Sequence, residues 1–274
     1  MAEQMPELPE VETILRGLRA RALGRRVTAV KVFNPQVILG PCADFTAAIR
    51  GRSITGLLRK GKALAITLSA QAGGTPRYLL VRLGMTGQFT VLPCAAPLEP
   101  HTHVRLVLDG GAEELRYRDV RRFGRLRCCT RRELEGVFAR LGPDAREINQ
   151  EQFLAALRGR RGAIKSWLMN QQFLSGLGNI YADEALFAAR IHPLTPAARL
   201  SPRAARRLLR AVQKILDRAV QLGGTSVRDY IDVAGRPGNF RPRLRVYQRA
   251  GEPCRRCRQP IRRLIIAGRS SHFC

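Results

Sequence analysis

Met5-Pro6-Glu7-Leu8-Pro9-Glu10-Val11-Glu12 opens a helix and places unusual chemistry in its first turn. Val11, Ile14, Leu15, Leu18 and Ala22 recur at helical spacing, and Gly24 stands where a C-terminal cap belongs. Proline suits a first helical turn, and Glu7, Glu10 and Glu12 complement the positive end of the helix dipole, so the stretch serves as a plain helix start. It also admits a sharper reading. Methionine before a small residue such as proline is readily trimmed, so translation from Met5 exposes Pro6 as a free secondary amine. Such an amine attacks an electrophilic sugar carbon and forms an iminium. Glu7 then lies beside it as proton donor or acceptor. In the full sequence Met1-Ala2-Glu3-Gln4 precede Met5 and leave the Pro6 nitrogen an amide. The expectation is a start at Met5, with residues 1–5 absent from the mature protein.

The chain has 274 residues and 45% apolar content, enough for two domains of ordinary size. Its net charge is +27, from 48 basic against 21 acidic residues, which predicts attraction to polyanions and to nucleic acid first. Lysines stand only at 31, 60, 62, 165 and 214, and the rest of the basic residues are arginine. That skew also fits GC-rich coding. The basic excess is steepest after residue 201. No run reaches the roughly 18 apolar residues of a membrane span. The acidic N-terminus is not a secretory signal. Seven cysteines without such a signal point to a reducing cytoplasm and away from a disulfide framework.

After the first helix, residues 26–129 read mainly as short strands: 27–32, 54–58, 63–68, 78–83, 103–108, 115–118 and 126–129, separated by Gly, Pro and polar breaks. Many strands after one helix suggest a β-sandwich or flattened barrel. A short helix is expected over 133–141, followed by a connector. From about residue 150 the apolar spacing turns helical, over 151–158, 163–170, 181–191 and 202–222. The class is therefore α+β, divided as 1–141, a hinge at 142–150, a helical domain at 151–222, and a Gly-, Arg- and Pro-rich mobile loop at 223–250. Residues 251–274 make a separate C-terminal element.

That element carries the clearest metal signal. Cys254-Arg-Arg-Cys257 followed by Cys274 matches three quarters of a zinc ribbon, and so small an element cannot fold on its own apolar content. The fourth cysteine belongs three residues beyond Cys274; the alternatives are a site that lacks a fourth ligand, or His272 in that place. Ser175-Gly176-Leu177-Gly178-Asn179-Ile180 joins two helices, either as a simple turn or as a close backbone approach with amides turned toward an anion. Leu83-Gly84-Met85-Thr86-Gly87 and Asp119-Val120-Arg121-Arg122-Phe123-Gly124 present large side chains on glycine-flanked loops. On local grounds alone Met85 and Phe123 read more readily as core residues.

Taken in order, these motifs resemble the formamidopyrimidine-DNA glycosylase family, base-excision repair enzymes for oxidised purines. The match runs from Pro6-Glu-Leu-Pro-Glu-Val-Glu through Ala163-Ile-Lys-Ser-Trp-Leu-Met and Gly176-Leu-Gly-Asn-Ile-Tyr to the cysteines. The resemblance implies a leading helix on a β-sandwich, a helix–two-turn–helix motif and a β-hairpin zinc finger with one structural zinc. It implies a monomer that binds duplex DNA carrying oxidised bases or abasic sites. The flipped nucleotide would be attacked by Pro6, assisted by Glu7, with Glu10 in support and Lys62 entering the active site; Lys60 competes for that last role. Arg269 would grip phosphate beside the lesion, and Met85, Arg121 and Phe123 would fill the vacated stack. His103, Lys165, Asn179 and Tyr181 complete the implied DNA contacts. Two alternatives stay open: an endonuclease VIII-like enzyme for oxidised pyrimidines, against which Leu8 speaks, and a DNA-binding protein without catalysis if Pro6 stays acylated.

Overall fold

The computed structural model describes residues 5–274; the tail Met1–Gln4, which includes most of the segment expected to be lost, lies outside them. Helix α1 (Leu8–Arg21) begins where expected, with the Glu10 carboxylate turned back to accept the Glu7 amide at 2.8 Å. Two antiparallel four-stranded sheets follow. One runs β1 (Val27–Val32), β6 (Thr102–Leu108), β7 (Glu113–Asp119), β5 (Gly87–Pro93). The other runs β2 (Ile54–Lys60), β3 (Ala63–Leu68), β4 (Arg77–Arg82), β8 (Arg125–Cys129). Strand parity decides which residues meet. Leu64, Ile66, Leu79, Val81 and Leu126 face a core shared with Phe89, Val91, Leu106 and α1. Ala65, Leu80 and Cys129 face the other way, under Leu134 of α3 (Arg131–Ala139).

Two elements differ from the sequence expectation. Strand β5 is bracketed by Gly87 and Pro93, which read as breaks, yet Phe89 and Val91 alternate into the core. Helix α2 (Cys42–Ile49) has no capping side chain and anchors through Phe45 and Ile49. The second half builds its own core from α4 (Gln150–Leu157), α5 (Ile164–Met169), α6 (Asn179–Ala189) and α7 (Pro202–Gln221). Hairpin β9 (Arg262–Ile266) with β10 (Arg269–Phe273) closes the chain. None of the described helices is long and apolar enough to cross a membrane.

Three features hold the two halves together. Leu8, the first residue of α1, is buried in the helical core, while Val11, Ile14, Leu15 and Leu18 are buried in the sandwich. The Asp144 carboxylate, in the expected hinge, accepts the Gly61 amide at 3.0 Å and pairs with buried Arg59. Residues 223–250, expected as a mobile loop, hold one 3-10 turn (Arg241–Arg243) and are fastened down: Tyr230 and Val233 enter the sandwich core, and Phe240, Leu244 and Tyr247 enter the helical one. The spacing of those side chains follows the surfaces they cover and has no period of its own. Their fit is close, since a Cβ on Gly17 of α1 would stand 2.9 Å from the Val233 Cβ.

Candidate active site

A cavity of about 690 Å³ opens between the halves. Pro6, Glu7, Lys62, Met85, Phe123, Asn179 and Arg269 all line it, although they come from six places in the sequence. Arg121 lies on an adjoining recess with Pro6, Met85 and Tyr230, its guanidinium 4.6 Å from the centre of the Phe123 ring. Phe123 is 53% exposed at the rim. Lys60 ends β2, and the Gly61 turn carries Lys62 onto the cavity wall; the two lysines do not share a strand face.

Glu7 is held by the start of α6. Its two carboxylate oxygens accept the Gly178 amide at 2.6 Å and the Ile180 amide at 2.9 Å. The anion at this helix N-terminus is therefore a side chain of the same protein. Gly178 is required for that approach: a Cβ there would stand 2.5 Å from the Glu7 Cδ and 2.7 Å from the Lys62 Nζ. Burial pushes the Glu7 carboxyl up in pKa, and the Lys62 ammonium and the α6 amides pull it part of the way back. Burial likewise pushes Lys62 down, opposed by Glu7 and Glu10 and reinforced by Arg269. Burial thus biases both groups toward their neutral forms.

Glu10 lies one helical turn deeper. Its carboxylate accepts the Tyr181 hydroxyl at 2.5 Å and the Thr225 amide at 2.7 Å, joining α1 to α6 and to the segment after α7. Burial, with the neighbouring Glu7 charge, pushes Glu10 up to about 7. Between the ordinary carboxyl value of 4.5 and that value, the folded chain retains a proton that the unfolded chain has lost. The stability this group contributes therefore falls as pH rises through that window, by about 3 kcal/mol. Urea midpoints at pH 5 and pH 8 test this: Glu10→Gln is expected to remove most of the difference, and an unchanged difference would refute the assignment.

Several residues expected on DNA are placed otherwise. Lys165 is 0% exposed, with its ammonium 2.6 Å from Asp183 and donating to the Ser270 carbonyl at 2.9 Å. It braces the final hairpin and offers nothing to a phosphate. The Tyr181 hydroxyl is committed to Glu10 and stands 2.8 Å from the Thr225 hydroxyl. His103 is buried, its Nε2 2.8 Å from the Asp119 carbonyl. In each case the amphipathic side chain finds internal partners that spacing alone does not reveal. Asn179, by contrast, is half-buried on the cavity wall. The sequence reading passed over Asp119, which accepts from the Thr86 hydroxyl, from Tyr117 at 3.1 Å and from the Gly124 amide at 2.8 Å. It thereby fixes both loops that carry Met85 and Phe123. Its position at the head of the Arg121–Phe123 loop was the available signal.

The sulfur atoms of Cys254, Cys257 and Cys274 lie within 4.8 Å of one another, the spacing and donor set of a thiolate zinc centre. Burial opposes ionisation of Cys254, but the Arg256 and Cys257 amides together with the Cys274 and Cys257 thiols outweigh it and lower its pKa to about 7. The His272 ring is outside this cluster, with its Nδ1 3.1 Å from Asp183.

The formamidopyrimidine-DNA glycosylase N-terminal domain model matches residues 5–126, the H2TH domain model of the same enzymes matches 141–231, and a zinc finger found in FPG and IleRS matches 251–274. Formamidopyrimidine-DNA glycosylase of Solibacter usitatus is 44% identical over 271 residues, covering 98% of each chain. That of Moorella thermoacetica is 45% identical over 265 residues, covering 95% of this chain and 94% of its own. Among solved structures, Lactococcus lactis Fpg in complex with abasic-site DNA superposes with a TM-score of 0.90 at 32% identity, covering 98% and 97% of the two chains. The MutM (Fpg) protein of Thermus thermophilus does so with a TM-score of 0.85 at 39% identity, again over 98% and 97%. With likeness spanning both halves and the C-terminal hairpin, the chain belongs to the formamidopyrimidine-DNA glycosylase family.

Proposed function

We propose that this protein is a base-excision-repair enzyme, a DNA glycosylase and abasic-site lyase for oxidised purines in duplex DNA. The observation that carries this reading is the convergence of Pro6, Glu7, Lys62 and Arg269 on one cavity between the two halves. A target nucleotide turned out of the stack enters that cavity, at a cost of a few kcal/mol that is least for damaged bases. Met85, Arg121 and Phe123 take the vacated space. The Pro6 nitrogen, freed of residues 1–5, attacks C1′; the base leaves with its bonding electrons and accepts a proton. Glu7 handles protons at the sugar, and Lys62, next to it, restores its charge state. After the Pro6 N–H proton is lost, protonation of O4′ by Glu7 lets the C1′–O4′ bond break and gives the C1′ iminium; this acidifies the C2′ proton, whose loss expels the 3′ phosphate, and a second elimination expels the 5′ phosphate. Arg269, exposed beside the cavity, answers the phosphate charge. The chemistry requires no redox cofactor. The reading places the enzyme in the cytoplasm on nucleoid DNA.

Single-turnover incision of a duplex with 8-oxoguanine opposite cytosine tests it. Glu7→Gln sets an amide NH2 against the Gly178 or Ile180 amide and removes the proton carrier. It is expected to slow base release by about 10²–10⁴-fold. A duplex left whole by protein beginning at Pro6 would sink the catalytic reading.

One structural zinc is proposed on Cys254, Cys257 and Cys274, with a fourth thiolate three residues beyond Cys274. Zinc supplies the folding energy that this small hairpin lacks. Metal analysis of the native protein is expected to give one ion per chain, and Cys254→Ser to lose it together with at least tenfold in duplex affinity. Full affinity without zinc would contradict the assignment.

A further inference from the structure

A second cavity, of about 520 Å³, lies at the far end of the strands that lead to the active site. Arg82 and Arg125 sit at the active-site end of β4 and β8, whereas Arg77, Arg127 and Cys128 line the second cavity. Five residues of strand separate Arg77 from Arg82, about 17 Å. The two cavities share no lining residue.

Its walls divide by chemistry. Leu39, Pro41, Phe45 and Ala48 make one side, from α2 and the approach to it. Arg52, Arg77 and Arg127 stand on the other, with Asp44 the one carboxylate on the wall. Arg127 is engaged by Glu133 outside the cavity. Arg52 is 6% exposed; one guanidinium nitrogen donates to the Thr75 carbonyl at 3.1 Å and to the Ser69 carbonyl, and its buried Nε has no partner. Both acceptors are neutral, so among the described residues this buried guanidinium has no anionic partner. Such a group is costly and calls for an explanation.

We propose that this cavity binds a small organic phosphate, with the phosphate against Arg52, Arg77 and Arg127 and the carbon body against Leu39, Pro41 and Phe45. The size suits such a ligand. Three guanidiniums on one cavity wall suit a tetrahedral oxyanion better than one carboxylate. A bound phosphate supplies the counter-charge that the Arg52 guanidinium lacks.

Calorimetric titration with deoxyguanosine 5′-monophosphate tests this on the full chain, in the presence of saturating duplex with a stable abasic-site analogue, so that the active-site cleft is filled. Binding is expected to persist with duplex bound, and Arg77→Gln and Arg127→Gln are each expected to weaken it at least tenfold while duplex affinity stays unchanged. Arg52 is left intact because it holds the Ser69 and Thr75 carbonyls. Binding abolished by the duplex would overturn the proposal, since the nucleotide would then occupy the cleft. Equal affinity in the arginine variants would overturn it as well. Inorganic phosphate matching the nucleotide would remove the organic body from it. Weaker duplex binding in the variants would make the patch a contact for a DNA arm and refute the small-molecule site.

Discussion

Protein beginning at Pro6 is expected to form a borohydride-trapped adduct with abasic-site duplex, and protein retaining residues 1–5 is expected to form none. The reason lies in one atom. With Met5 attached, the Pro6 nitrogen is a tertiary amide whose lone pair is delocalised into the carbonyl. Without Met5, it is a secondary amine facing the active-site cavity, which can add to C1′ and yield an iminium that hydride reduces. Removing the nucleophile of a covalent mechanism costs on the order of 10³-fold or more in turnover. An adduct from both proteins, with the tail intact by mass, would transfer the nucleophile's role to another amine, and Lys62 is the one on the same wall.

The second large effect is structural. Asp183→Ala is expected to destabilise the protein by about 3–5 kcal/mol, because it leaves the Lys165 ammonium buried without its counter-charge. For a chain of this size that is a fall of roughly 6–20 °C in Tm. The loss extends to the hairpin, where the His272 amide donates to Asp183 at 2.8 Å and Lys165 donates to the carbonyl of Ser270, the neighbour of Arg269. Asp183→Leu combined with Lys165→Met is expected to recover much of the stability, since it removes both charges together. If Lys165 served DNA phosphate instead, Lys165→Met alone would leave Tm in place and reduce the salt dependence of duplex binding.

The first helix, the strand-rich half, the helical half and the cysteine cluster were legible because each carries a local signature: a period, a cap or a metal spacing. Pro6 and Glu7 were legible as a possible amine and its proton carrier, while the site roles of Lys62, Met85, Phe123 and Arg269 were reached only through the family resemblance; the cavity brings all six together. What stayed hidden is of one kind. Asp119, Asp144 and Asp183 are single acids whose partners lie far away in sequence, so nothing around them marks them out. The same holds for Lys165, Tyr181 and His103, which resemble surface contacts until their internal partners are known. Strand β5 was lost because its ends mimic loop residues, and the anchoring of 223–250 because Tyr230, Val233, Phe240, Leu244 and Tyr247 follow no period.

The shared helix also fixes an order of events in the cell. Glu7 finds its amides at Gly178 and Ile180, and Glu10 finds its own at Thr225, 215 residues further along the chain. At ribosomal speeds of about 5–20 residues per second, those partners emerge roughly 10–45 s after α1 does. During that interval Leu8 has no core to enter, and the N-terminus stays open to the enzymes that process nascent chains. On the proposed reading, in which Pro6 is the nucleophile, residues 1–5 are removed within that interval and the finished cleft has no need to admit a peptidase.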